Sequence, residues 1–194
     1  MCIARLQHQD AKSNGRQIYT SPYTPEFCEW GFSYKRHQDR YNPAPAVAPF
    51  KAPNPIPSWP QVDLMLTHGP PYQILDRTGH GEDVGCENLL KAVARARPRL
   101  HCFGHIHEGW GAEKVTWSPG ERKRQSMQVD QQKVLADRSA FLDLSKDGGE
   151  PLDFGQETIF VNAAIMDVSY SPGNAPWLVD LDLPLAETSE SGEV

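Results

Sequence analysis

Ten residues, Cys102 to Gly111 (CFGHIHEGWG), carry the densest chemistry in this 194-residue chain. Two imidazoles, His105 and His107, stand two positions apart, just behind Gly104. Imidazole is the commonest metal-binding side chain at neutral pH. On an extended backbone, side chains at i and i+2 share a face and lie roughly 6–7 Å apart. That spacing lets a pair straddle two ions about 3.5–4 Å from each other, as in two-metal phosphoester and peptide hydrolases. Gly104 permits a tight turn or a close backbone approach at the edge of such a site. A His-x-His alone is equally an ordinary surface segment. A third imidazole in a similar setting, His68 in Thr67-His68-Gly69-Pro70-Pro71, favours the metal reading.

The elements that must position these residues are legible around them. Residues 62–67 (VDLMLT) are nearly continuous in apolar character, as expected of a strand covered on both faces. The Gly-Pro-Pro that follows ends the strand and leaves His68 at its carboxyl end. Residues 84–97 have helical periodicity through Leu89, Leu90, Val93 and Ala94. Asp83 is the expected N-cap, Glu87 and Lys91 form an i,i+4 pair, and Pro98 stops the helix. Residues 99–103 then form a strand running into Gly104. Strand, helix, strand predicts parallel pairing, and ligands bind at the carboxyl ends of parallel strands. His68, His105 and His107 are thus expected to converge on one sheet edge.

Further strands are expected at 16–21 (RQIYTS), 30–35 (WGFSYK), 158–161 (TIFV) and 177–181 (WLVDL). Seven prolines between 41 and 60 make that stretch a loop of polyproline character. The organisation expected is a flexible leader over 1–16, one domain over 17–184 and a disordered acidic tail over 185–194. Within the domain, 112–156 reads as a polar excursion with a short helix near 131–142.

Composition narrows the function classes. The net charge of −6 argues against a broad basic surface for nucleic acid or an anionic membrane. An anionic substrate would need local positive charge, which a bound metal supplies. The apolar runs are too short to span a bilayer, and the first residues lack a secretory apolar core. Four cysteines far apart, with no C-x-x-C, argue against a disulfide framework and for a reducing setting, cytoplasmic or nuclear. His80 reads as a loop histidine within reach of a substrate phosphate, and Asp76 and Arg77 as solvated loop charges. Asp63 is expected to be structural, His101 a core histidine, and Trp110 a residue packed on the sheet edge. Glu108 is placed to line the cleft mouth. Asn162 ends its strand near the site and suits either a hydrogen bond to a ligand imidazole or a turn cap.

Three ordered segments carry a resemblance: 63–71 (DLMLTHGPP), 104–111 (GHIHEGWG) and 160–164 (FVNAA). Together they resemble the calcineurin-like metallophosphoesterase superfamily, and look most like the small metallophosphoesterase-domain proteins of animals and fungi. Residues 18–25 (IYTSPYTP) and Trp30-Gly31-Phe32 resemble that branch's middle segment. The resemblance implies an α/β fold, an αββα sandwich of two packed mixed sheets flanked by helices. It implies two divalent ions (Mn, Fe or Zn), with His68 and His105 on the second and His107 on the first. The activity implied is hydrolysis of a small phosphodiester or phosphomonoester by in-line attack of a metal-held hydroxide. Gly104, His80 and Asn162 would serve substrate or support the ligands. No nucleic-acid or membrane partner is expected.

The departure from the pattern has equal weight. Asp-x-His, Gly-Asp and Gly-Asn-His motifs do not occur upstream of His68, and His8-Gln9-Asp10 has the reverse order. The chain therefore looks like the C-terminal half of the domain, with the N-terminal catalytic strands missing. Three neutral imidazoles can hold one ion with water in an open position, but not a carboxylate-bridged pair. The expectation is a hydrolase impaired in this form, or a non-catalytic metal- or partner-binding relic of the scaffold. Uncovered sheet edges would favour self-association. An amidohydrolase-type zinc site is disfavoured, because that barrel needs about 250 residues.

Overall fold

A computed structural model describes residues 2–9, 17–27, 31–45 and 48–184. Four strands come first: β1 (Cys2–Gln9), β2 (Ile18–Ser21), β3 (Thr24–Pro25) and β4 (Ser33–Tyr34). After the proline-rich loop come β5 (Leu64–Thr67), α1 (Glu87–Ala96), β6 (Leu100–Phe103) and a single 3-10 turn (His107–Gly109). β7 (Gly111–Ser118), β8 (Glu121–Ser126), α2 (Gln131–Asp137), β9 (Ala140–Asp143), β10 (Glu157–Asn162) and β11 (Trp177–Pro184) complete the order.

The main sheet has six strands in the order β2-β5-β6-β10-β7-β8. β2, β5, β6 and β10 are mutually parallel, as the strand-helix-strand pattern predicts; β7 and β8 join antiparallel. A second, all-parallel sheet has the order β1-β11-β9, and β3 pairs with β4 in a minimal third.

Both faces of the main sheet are covered, which is why its central strands read as apolar runs. Met65, Phe103 and Phe160 pack on one side against Leu89, Ala92, Val93 and Ala96 of α1. Leu64, Leu100, Cys102, Ile159 and Val161 pack on the other against Trp177, Val179, Leu181 and Leu183 of β11. Each such buried aliphatic or aromatic side chain contributes about 1.5–3 kcal/mol. The α/β expectation holds, with α1, the main sheet and the second sheet as successive layers. α2 buries none of its residues.

Several expectations change. Cys2–Gln9, read from sequence as part of a flexible leader, pairs along its whole length with β11, Cys2 opposite Trp177 and Gln9 opposite Pro184. Its glutamines and histidine are weak strand formers; a long-range ladder supplies what local propensity lacks. Residues 10–16 and 185–194 lie outside the described residues. The polar excursion over 112–156 contains a hairpin, a helix and a strand. The β7–β8 hairpin turns at Pro119-Gly120, where Gly120 has φ +77°. β7 buries Val115 and Trp117 in the core, while β8 stays exposed and pairs its Arg124 with the buried Glu113. The helix expected to reach 142 stops at Asp137, because 140–143 pair with β11 instead.

α1 is capped by Cys86, not Asp83: the thiol sulfur accepts from Leu89 N–H at 3.3 Å. Asp83 is engaged upstream, bridging Arg77 at 3.6 Å. Arg97, left-handed at φ 47°, closes the far end with its N–H on Val93 O, just before Pro98. Cys86 and Cys102 are both buried. Among the described residues no helix is long and apolar enough to cross a membrane.

Candidate functional site

The four parallel strands end along one edge, at Ser21, Thr67, Phe103 and Asn162. The chain leaving β5 is fixed at once. His68 N–H donates to Ser21 O at 3.1 Å, and His68 O accepts from Gly104 N–H at 3.0 Å. The backbones of both histidine segments are therefore bonded to each other.

After Gly104 the chain makes a three-residue turn, with Ile106 N–H donating to Gly104 O at 2.9 Å. His105 is its central residue, at φ +71°. This is the rarer, positive-φ form of the γ-turn, and a non-glycine residue held there costs on the order of 1–3 kcal/mol. The strain falls on His105 and not on Gly104, where a Cβ would meet only Ala164 at an ordinary 3.7 Å. The position that demands glycine is Gly109, where a Cβ would lie 2.0 Å from Leu75 O.

The turn brings two imidazoles together, their planes tilted by 52°. His68 Nε2 and His105 Nδ1 are 3.1 Å apart, with ring centroids at 4.8 Å. Burial holds the His68 pKa below the ordinary imidazole value. His105 is lowered by burial first, then by the neighbouring His68 and His107. Both are kept neutral, the form that ligates metal. His107 is fixed differently. Its Nδ1 lies 2.9 Å from Asp167 O; a carbonyl only accepts, so Nδ1 carries the proton and neutral His107 has its lone pair on Nε2. The ring of Tyr170 stands edge-on to it, centroids 5.3 Å apart.

All three imidazoles line one cleft of about 730 Å³, together with His80 and Glu108. The structure brings His68 and His105 together and places His107 in the same cleft. Among the described residues, no group of three or more His, Cys, Asp or Glu side chains is arranged to hold a metal ion.

Asn162 spends its side chain on backbone. Nδ2 donates to Leu75 O at 3.1 Å and Ile106 O at 2.8 Å; Oδ1 accepts from Ala164 N–H at 3.1 Å. Fully buried, it joins the three loops that follow β5, β6 and β10.

His101 lies within β6, completely buried. Thr67 Oγ1 donates its single proton to Gly69 O at 2.8 Å, so it must accept from His101 Nε2–H, also at 2.8 Å. His101 Nδ1 then has no partner. This buried relay braces the turn that carries His68. Asp63 is structural, as expected, taking Gln17 N–H and Arg99. Trp110 packs on Trp177 at 5.0 Å and donates to Ala175 O.

Sequence reasoning missed three supports. Asp76, expected to be solvated, is buried and accepts from Gln73 and Gly85 N–H, each at 2.8 Å. Burial raises its pKa. Glu108 accepts from Gly79 N–H, which is the main cause holding its carboxyl below the usual range. Asp167 folds the loop over His107 by accepting from Ser169 and Ser171 N–H at 2.8 and 3.0 Å. The Asp-x-Ser-x-Ser spacing of 167–171 was the available signal for such a turn.

The spacing of two of the three imidazoles suits ligation of one ion. Two imidazole nitrogens about 2.0–2.1 Å from one tetrahedral ion lie about 3.3 Å from each other. The His68–His105 separation of 3.1 Å is within a few tenths of that. The donor set does not fit a carboxylate-bridged pair, since no carboxylate completes a group with the imidazoles among the described residues.

Fold and edge together define an α/β protein with a histidine cleft at the carboxyl ends of parallel strands. No family model matches the chain. It is 34% identical over 181 residues to metallophosphoesterase domain-containing protein 1 of Homo sapiens, and equally to that of Mus musculus. It is 39% identical over 101 residues to a UPF0046 protein of Caenorhabditis elegans, 50% of this chain and 22% of that protein. By sequence the chain is a relative of the metallophosphoesterase domain-containing proteins. The match to the human and mouse proteins takes in 92% of this chain but spans only 40% of their length. Their name says that they contain a metallophosphoesterase domain.

Proposed function

We propose that this chain supplies the imidazole half of a metal-dependent phosphoester hydrolase site, on a partial αββα scaffold. The observation that supports it best is the 3.1 Å approach of His68 Nε2 to His105 Nδ1 from neighbouring parallel strands. His68 and His105 would hold one divalent cation (Mn, Fe or Zn). When bound, such an ion supplies Lewis acidity toward phosphoryl oxygens and a water of lowered pKa. His107 offers the Nε2 lone pair to the same cleft, for a second ion or to accept the proton of the attacking water. Its tautomer is set by Asp167 O, its orientation by Tyr170. Turnover would be low, because the Asp-x-His, Gly-Asp and Gly-Asn-His motifs are absent.

A second reading, a non-catalytic metal- or partner-binding form of the scaffold, is favoured by the lack of a three-ligand group among the described residues. Metal analysis and an assay separate the two. Bound Mn, Fe or Zn with turnover of bis-p-nitrophenyl phosphate, lost in His107→Ala, supports the hydrolase. Metal without turnover supports the second reading. A wild-type chain that takes up no metal sinks both.

A further inference from the structure

We propose that the mouth of the histidine cleft binds the organic half of the phosphoester, and that this half is a flat aryl group laid against Tyr170. The inference rests on His68 and His105 marking the phosphoryl end. Phe27, Ile165, Val168 and Tyr170 are exposed large apolar residues, and all four line this one cleft. Apolar side chains gathered at a cleft mark a binding surface.

Tyr170 is the decisive one. It sits at φ +59°, a left-handed conformation that bulky residues rarely adopt. The loop is built to hold it there. Tyr170 N–H donates to Asp167 O at 3.0 Å, and the Asp167 carboxylate takes Ser169 and Ser171 N–H. The strain yields no core packing: the residue remains 67% exposed, with its ring edge-on to His107 at 77°. Strain concentrated where a ring overhangs a site imidazole points to ligand contact. Arg36 lines the same cleft and complements an anion.

The cleft volume, about 730 Å³, matches small-molecule sites. Thr78, His80 and Glu82 make one wall polar, which suits a short ring better than a long acyl chain. Aromatic pairs interact at centroid separations of about 4.5–7 Å. A ring on Tyr170 therefore needs no rearrangement of the core.

The test is calorimetric binding of methyl-, phenyl- and octylphosphonate to the Zn-loaded full chain. Phenylphosphonate is expected to bind about tenfold tighter than methylphosphonate, and octylphosphonate no tighter than phenylphosphonate. Tyr170→Ala should bring the ratio of phenyl- to methylphosphonate affinity down to about one; Tyr170→Phe should retain the phenyl advantage. Equal affinities that vanish in His68→Ala overturn the aryl site and leave the phosphoryl site standing. An advantage surviving in Tyr170→Ala, or octylphosphonate binding tightest, also overturns it. Failure of all three to bind removes both readings.

Discussion

Asn162 Nδ2 donates to the carbonyl of Ile106, the residue between His105 and His107, at 2.8 Å. The same nitrogen holds Leu75 O. One buried amide thus fixes the strained histidine turn against two other loops. Asn162→Leu keeps the volume and leaves Leu75 O and Ala164 N–H without their partner, while Ile106 O keeps Gly109 N–H. Each unpaired buried group costs about 1–3 kcal/mol, so a loss of about 2–6 kcal/mol in urea unfolding is expected. Zinc uptake should weaken as the His105 turn relaxes. Full stability in this variant would show that the amide is dispensable.

Gly109 and Gly104 make a matched pair. An alanine Cβ at 109 would stand 2.0 Å from Leu75 O and 2.8 Å from Asn162 Nδ2, so backbone must move. At 104 it would meet only ordinary contacts near 3.7 Å. Gly109→Ala should destabilise by about 3 kcal/mol or more, the upper range for overpacking, and Gly104→Ala by less than about 1 kcal/mol. Equal melting temperatures for the two variants would contradict this geometry.

Much of this edge is legible in sequence, and the illegible parts have physical causes. The Gly-Pro-Pro after Thr67 and the helical period of 84–97 place His68 and His105 correctly, because strand, helix and strand are all local signals. β1 is invisible, because its pairing partner lies about 175 residues away at β11. β8 reads as polar because it is exposed, its Arg124 resting on the buried Glu113. The His105 turn is unexpected because sequence assigns backbone freedom to the glycine beside it. Asp76 reads as solvated because nothing local reveals that two loop amides, from Gln73 and Gly85, enclose it.

His101 should make stability depend on acid in a defined window. Burial pushes its pKa down to about 3, whereas an unfolded imidazole titrates near 6.5. Between those values the unfolded chain binds a proton that the folded chain refuses. Stability is therefore full above about pH 6.5 and lost as pH falls toward 3. His101→Phe keeps a ring against Phe103 and Phe160 but cannot titrate. The wild-type minus variant difference in unfolding free energy should fall steadily from pH 6.5 to 4. A flat difference would mean the imidazole is not buried neutral.

The facing nitrogens of His68 and His105 should respond to zinc before any turnover is measured. In the free pair one N–H must point at the other ring; for both facing nitrogens to hold a cation, that ring would shift its proton to its other nitrogen. An ion that binds only the folded chain stabilises it by about 2.7 kcal/mol at a hundredfold excess over its dissociation constant. Thermal melting should therefore rise with Zn concentration in the wild type. His68→Ala and His105→Ala should each abolish the rise, because one imidazole alone is a weak ligand. His107→Ala should keep at least half of it, since Nδ1 of that ring is committed to Asp167 O. His37→Ala, in an exposed loop far along the chain, should keep all of it. A rise that persists in both His68→Ala and His105→Ala would place the ion elsewhere and remove the basis for a metal site at this edge.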